Sequence, residues 1–168
     1  MGRGTLYHHL AGGPPLMLPS SAILVHGTAI VLAETGILFT GPSGSGKSET
    51  ALRCLQAAHQ RGWHAALIAD DAVLVQVWSG RVLAVRPEAT AGLLELRGTG
   101  ILTLPARPSA CLHLVVAPGG RTPEARLPPD DEREVLSGVE LPMVRLVADA
   151  CSDPLASLLA LRPALFPR

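Results

Sequence analysis

The sequence predicts a single α/β domain whose mixed sheet is built around a phosphate-binding loop. Three observations carry this. Gly41-Pro42-Ser43-Gly44-Ser45-Gly46-Lys47-Ser48 fits the pattern G-x-x-x-x-G-K-[ST]. The apolar run 36–40 leads into it and the helix-forming run 49–58 follows, the strand–loop–helix setting that the pattern requires. Short apolar runs separated by Gly, Pro and Asp surround it, without the strand–helix alternation of a simple doubly wound fold.

The elements follow in order. Residues 1–21, with Gly12-Gly13-Pro14-Pro15 and Pro19-Ser20-Ser21, read as an irregular lead-in, and His8 and His9 as exposed loop histidines. Residues 22–26 form a strand, Gly27 a bend, 28–32 a second strand, and 33–36 a turn into the loop's own strand. Three short strands in succession imply an antiparallel part of the sheet. A helix from about Ser48 to Arg61 ends at Gly62, a C-capping glycine. Residues 65–69 form a buried strand that ends in Asp70-Asp71. Val73, Val75 and Val77 alternate with other residues, and Ser79-Gly80 turns the chain into 82–85, a hairpin. Runs at 93–98 and 100–102 precede a strand at 112–116. Residues 117–133 are rich in Pro, Gly and charge and read as a loop; 141–147 are extended. Asp153-Pro154 opens a last helix to about Leu161, which Pro163 and Pro167 end. No repeat or linker divides residues 1–168.

Composition narrows the function. A chain of 168 residues buries roughly 70% of its unfolded surface. With aromatics at 3%, Leu, Val, Ile and Ala must fill the core. Lys+Arg and Asp+Glu are 14 each, so no global basic field recruits nucleic acid. Cys54, Cys111 and Cys151 lack metal-like spacing, and Cys54 reads as an apolar filler. No apolar run approaches the ~18 residues of a membrane span. Arg3 is not followed by an unbroken signal-peptide core. The expected location is the cytoplasm.

The loop carries the chemistry. Its glycines let backbone N–H groups turn inward and form an anion nest at a helix N-terminus. Gly41, Pro42, Ser43, Gly44, Ser45, Gly46, Lys47, Ser48 and Glu49 are expected to hold ATP. Lys47 should reach the β- and γ-phosphates and Ser48 should ligate Mg²⁺. Asp70-Asp71 could hold the metal or accept a hydroxyl proton, or could be a solvated turn. His26 could orient a carboxylate or phosphate, or be structural; alone, Glu95 and Arg97 read as a solvated strand face.

Taken together, several segments resemble the catalytic domain of bacterial HPr kinase/phosphorylase. They are His26-Gly27, Gly41 through Thr50 with its ending Gly-Lys-Ser-Glu-Thr, Ile68-Ala69-Asp70-Asp71, and Leu94-Glu95-Leu96-Arg97-Gly98-Thr99-Gly100-Ile101. The last is similar to that family's own signature, with Thr99 where an aliphatic residue is usual. The resemblance runs from about residue 20 to 147. It implies an α/β P-loop kinase domain of the HPr kinase or phosphoenolpyruvate-carboxykinase-like class, in a short form without the family's N-terminal domain. It implies ATP- and Mg²⁺-dependent phosphorylation of a serine on the phosphocarrier protein HPr, and by family precedent a hexamer. By position it implies that Lys47 binds phosphates, that Ser48 and Glu95 bind Mg²⁺ with Asp70 alongside, and that Asp71 accepts the serine proton. His26 matches a catalytic histidine near Asp71. Arg97 lies in the signature, and Arg126 matches an arginine of a mobile active-site loop.

Two further departures stand out. The segment between the phosphate loop and Asp70-Asp71 is longer than usual by one to two helical turns. After 141–146 the family carries a basic, glycine-containing stretch linked to dephosphorylation; here the chain reads Val147-Ala148-Asp149-Ala150-Cys151-Ser152-Asp153. The reverse reaction sends inorganic phosphate against phosphoserine, so it must gather a second anion, which acidic side chains repel. The expectation is a much better kinase than phosphorylase. Pyrophosphate release from serine-phosphorylated HPr at high phosphate should be far slower than the forward reaction at saturating ATP. Comparable rates would show that the missing stretch is dispensable.

Overall fold

The computed structural model describes residues 22–119, 131–147 and 153–167. In chain order these hold β1 (Ile23–His26), β2 (Thr28–Leu32), β3 (Thr35–Phe39), α1 (Lys47–Gln60), β4 (Ala65–Ala69), β5 (Ala72–Trp78) and β6 (Arg81–Val85). Then come β7 (Leu93–Leu96), β8 (Gly100–Thr103), β9 (Ser109–Gly119), β10 (Arg133–Leu136), β11 (Val139–Val147) and α2 (Pro154–Leu161).

The main sheet runs β1-β5-β6-β9-β3-β2-β4, with β11 and then β10 attached at β9; β7 and β8 form a separate hairpin. The sheet is mixed. β2 is antiparallel to β3 and β4, whereas β3 and β11 run parallel to β9. β9 is the spine, and one of its edges is shared: Ser109–Cys111 pair with β6 and Val115–Gly119 pair with β11.

Two apolar clusters explain why β2, β3 and β4 read as unbroken hydrophobic runs. Successive strand residues point to opposite faces, and here both faces are covered. Ile30, Leu32, Ile37, Phe39 and Leu67 pack beneath Ala51, Cys54, Leu55 and Ala58 of α1 and Leu155 and Leu158 of α2. Ala29, Val31, Leu38 and Ile68 pack on the other face with Val73, Val75, Val82 and Ala84. Burial, with the Asp153 charge nearby, pushes the Cys54 thiol up to about 12, so it is an inert filler.

The turns follow their residues. Ser79-Gly80 and Ser137-Gly138 each take two positive φ angles, the geometry that joins twisted antiparallel strands in two residues. Helix α1 ends at Gln60, with Gly62 at φ 73 and Trp63 N–H donating to Ala58 O at 3.0 Å; the C-cap residue itself is Arg61. Asp153 caps α2 by accepting from Ala156 N at 3.0 Å and pairs with Arg61 at 3.3 Å. Burial pushes its carboxyl up, but the Ala156 amide and the Arg61 guanidinium hold it, on balance, below the usual range.

Three expectations are corrected. The 33–36 turn is only Ala33-Glu34, because Ala33 takes a positive φ of 53 and β3 starts at Thr35. The loop expected to begin at 117 does not begin there: β9 runs on to Gly119, and at the other end β10 begins at Arg133. Pro118 is tolerated because it lies past the end of β3, where β9 has one neighbour. The strand expected at 112–116 also begins earlier, at Ser109, where β6 extends the pairing. Residues 1–21 and 120–130, with His8, His9 and Arg126, lie outside the described residues, as do Asp149 and Cys151.

One irregularity sets a pH dependence. The register between β3 and β9 shifts after Gly36, so His113 has no partner across the ladder. Its Nδ1 instead accepts from Gly36 N at 3.1 Å. A side chain at Gly36 would strike Cys111 O at 2.1 Å, so only glycine admits this approach. Burial, then the Arg81 charge, outweigh the Cys111 carbonyl and hold the His113 imidazole below its ordinary 6.5. The unfolded chain therefore binds the extra proton, and His113 supports the fold above that value and loses its contribution as pH falls through the lower folded value. His113→Gln, which keeps an acceptor, should flatten the loss of stability measured by urea unfolding between about pH 7.5 and 5. An unchanged slope would remove His113 from that account.

Candidate active site

The glycine-rich loop at 40–46 joins β3 to α1. Gly46 caps the helix at φ 89, a left-handed conformation that glycine adopts without strain, and no side chain caps the first turn. The first intrahelical bond is Thr50 N to Gly46 O at 2.9 Å. The amides of Lys47, Ser48 and Glu49 therefore have no acceptor within the helix and are available to an anion. Lys47 is buried, and its Nζ donates to Gly41 O at 2.9 Å and Pro42 O at 3.0 Å. Ser45 Oγ is buried with no partner.

β4 delivers the acid pair, and the two carboxylates differ sharply. Asp70 is buried, 7% exposed. Its Oδ1 accepts from Thr28 Oγ1 at 2.6 Å and from Ser48 Oγ at 2.9 Å, while its Oδ2 accepts from Glu95 N at 2.8 Å. Asp71 has a side chain 78% exposed and a positive φ of 66, a conformation that aspartate tolerates better than most residues. On an extended strand these neighbours would face opposite sides. β4 ends at Ala69, however, and the left-handed turn at Asp71 lets both line the same cleft.

His26, at the end of β1, links Asp71 to the loop. Its Nδ1 lies 3.0 Å from both Asp71 O and Asp71 Oδ1, and its Nε2 lies 3.4 Å from Lys47 Nζ. The tautomer with its proton on Nδ1 satisfies these contacts: it donates to Asp71 and leaves Nε2 as acceptor for the ammonium. Arg97, in the turn after β7, donates from Nη2 to Ser43 Oγ at 2.7 Å and so ties the β7–β8 hairpin to the loop.

The result is a cleft of about 510 Å³. His26, Ser43, Gly44, Gly46, Lys47, Ser48, Glu49, Asp70, Asp71, Glu95 and Arg97 all line it, whereas Arg126 falls outside the described residues. Glu49 also pairs with Arg53 at 2.6 Å. Sequence reasoning passed over Leu52, Arg53 and Gln56, which continue the wall along α1. Steps of three to four residues from Ser48 and Glu49 to Leu52 and Arg53, and from these to Gln56, mark one helix face and could have revealed them. It also passed over Thr28, a polar residue opening an otherwise apolar strand.

The donor set suits a magnesium–nucleotide. The free first-turn amides and Lys47 suit phosphate oxygens; Gly41, Pro42 and Ser45, expected to hold the nucleotide, do not line the cleft, and the Ser45 hydroxyl is buried. Ser48 Oγ and the Glu95 carboxylate are hard oxygen donors in one cleft. Among the described residues no group of three or more His, Cys, Asp or Glu is gathered to hold a metal.

The family model described as HPr Serine kinase C-terminal domain matches residues 19–107, more than half of the chain. The chain belongs to this family. The HPr kinase/phosphorylases of Clostridium tetani and Clostridium acetobutylicum are each 42% identical to it over 82 residues, 49% of this chain and 25% of theirs. The match thus spans about a quarter of the length of these curated relatives. The solved structure of the Hpr(Ser) kinase/phosphatase from Coxiella burnetii aligns with a TM-score of 0.68 at 22% identity, covering 84% of this chain and 90% of that one. That likeness shows the fold, an α/β domain with a mixed sheet. The family match ends at residue 107, so β9 to α2 lie beyond it. No helix among the described residues is long and apolar enough to cross a membrane.

The two aspartates should separate in a stability measurement. Asp70→Asn turns an amide N–H₂ towards groups that already donate, at a cost of about 1–3 kcal/mol in urea unfolding. Asp71→Asn, exposed and tolerant of its φ, should stay within about 0.5 kcal/mol of the parent. Equal losses would show that the burial contrast has no energetic weight.

Proposed function

We propose that this chain is an ATP- and Mg²⁺-dependent protein serine kinase whose acceptor is HPr. The observation that carries the reading is the contact chain Asp71–His26–Lys47, which sets an exposed carboxylate beside a phosphate loop at 3.0 and 3.4 Å. Membership of the HPr serine kinase C-terminal domain family supports the acceptor class.

Bound Mg²⁺–ATP supplies the activated phosphoryl group and neutralises part of its charge. The loop amides and Lys47 hold the phosphates in place, and Ser48 and Glu95 supply metal ligands. Asp71, on the open side of the cleft, orients the incoming hydroxyl and takes its proton. His26 holds Asp71 through Nδ1–H and, through Nε2, keeps Lys47 in register with it. Arg97, already bound to Ser43, adds positive charge beside the loop. Positioning and charge stabilisation of this kind are most of what phosphoryl transfer requires. A loose transition state asks little of the base before the phosphoryl group moves, so an aspartate suffices.

Weak reverse activity is part of the proposal. Of the cations flanking the altered stretch, Arg61 pairs with Asp153 at 3.3 Å, and Arg145, two residues before Val147 in the chain, is held by Glu132 through three hydrogen bonds of 2.6–3.1 Å. Those bonds hold the Glu132 carboxyl below its usual range and raise the guanidinium, so each keeps its charge for the other. A different acceptor, protein or small molecule, on the same scaffold is the second reading, because fold does not fix the acceptor.

Incubation with labelled ATP, Mg²⁺ and purified HPr, beside a metabolite pool, tests both. Label should appear on an HPr serine. Asp71→Asn should lower kcat by about 10²-fold or more while nucleotide affinity stays near that of the parent. Label only on a small molecule would favour the second reading. Nucleotide binding without turnover, unaltered by Asp71→Asn, would leave a nucleotide-binding regulator and defeat both.

A further inference from the structure

Thr28 has a hydroxyl where the sheet needs none. It opens β2, is fully buried, and is followed by Ala29-Ile30-Val31-Leu32, all buried and apolar. Valine has nearly the same shape and would serve the sheet as well. The hydroxyl is nevertheless engaged, at 2.6 Å, with Asp70 Oδ1, the same oxygen that accepts from Ser48. Asp70, Ser48 and Glu95 line the cleft; Thr28 does not. It holds the carboxylate from outside the cleft.

A hydroxyl has one proton and two lone pairs. While Ser48 gives its proton to Asp70, its lone pairs are left for an electrophile. The terminal torsion of an aspartate is soft and roughly two-fold, so the carboxylate plane is set by what donates to it. Without Thr28, Oδ1 keeps only the Ser48 donor and Oδ2 only the Glu95 amide. The carboxylate can then turn, and the Ser48 proton is free to point into the cleft, where it opposes a cation.

We infer that Thr28 is a positioning residue for the divalent-cation site: through Asp70 it directs the Ser48 proton away from the cleft and the oxygen lone pairs into it. This rests on the reading of the cleft as a magnesium–nucleotide site. Partners bonded directly to a metal ligand, as Asp70 is to Ser48, typically contribute about 10–100-fold to metal affinity; Thr28 acts one bond further out, so the lower end of that range applies.

The test reads binding rather than turnover. Mn²⁺ replaces Mg²⁺ as a paramagnetic probe and is titrated into the protein saturated with a non-hydrolysable ATP analogue. Metal-free nucleotide affinity and thermal stability are measured in parallel. Thr28→Val should weaken Mn²⁺ by about 10-fold, with metal-free nucleotide affinity unchanged. Thr28→Ser should bind Mn²⁺ like the parent even though loss of its buried methyl lowers stability. If Thr28→Val does not fold, Thr28→Ala takes its place with the same expectation. Parent-like Mn²⁺ affinity without the hydroxyl would overturn the inference. So would a Thr28→Ser protein as weak as Thr28→Val, since packing and not the hydroxyl would then be responsible. If the parent itself bound no Mn²⁺–nucleotide, the reading of the cleft would fail first and the inference with it.

Discussion

The buried carboxylate of Asp70 is the constraint on which the site depends. A charge 7% exposed is costly unless donors surround it, and here three do, from Thr28, Ser48 and Glu95. Each donor belongs to a different element: β2, the start of α1 and β7. Satisfying one carboxylate therefore fixes where the helix begins relative to the sheet and how closely the β7–β8 hairpin approaches. Asp70 holds the Glu95 amide and Ser43 takes the Arg97 guanidinium, so the hairpin is tied to the site at two points. Around this point the apolar faces of β2, β3 and β4 supply rigidity, and the polar contacts supply placement.

The two adjacent aspartates show how one strand end yields two kinds of group. Asp70 spends its oxygens on the protein and is left as an anchor. Asp71 turns out through a left-handed φ and keeps its carboxylate in solvent, held on one side by His26. The proton-accepting role proposed for Asp71 needs a reachable carboxylate, and a structural anchor needs a saturated one. The sequence Asp-Asp after an apolar strand allows both because the strand stops one residue earlier.

Much of this was legible in the chain. The Gly-rich loop, its flanking strand and helix, and the hairpin at Ser79-Gly80 follow local rules that leave few alternatives. The fold class was legible for the same reason, since three short strands before the loop could pair only in a partly antiparallel sheet. What was not legible depends on distant pairing. Nothing local marks 117–119 as strand; β9 extends there because β11, more than twenty residues on, pairs alongside it. Nor does any local pattern place Thr28 against Asp70, 42 residues away. Nor could the chain alone show that Asp70 and Asp71 line one cleft: strand alternation would send neighbours to opposite faces, and it ends with the ladder at Ala69.

The central claim is that nucleotide phosphates seat on the amides at the start of α1. Backbone amide chemical shifts of the intact chain, recorded with and without Mg²⁺ and a non-hydrolysable ATP analogue, address it directly. The account predicts the largest changes at Gly44, Gly46, Lys47 and Ser48, with smaller ones at Asp70 and Glu95. Shifts that left the loop unmoved, or that clustered on a different face of the sheet, would contradict it.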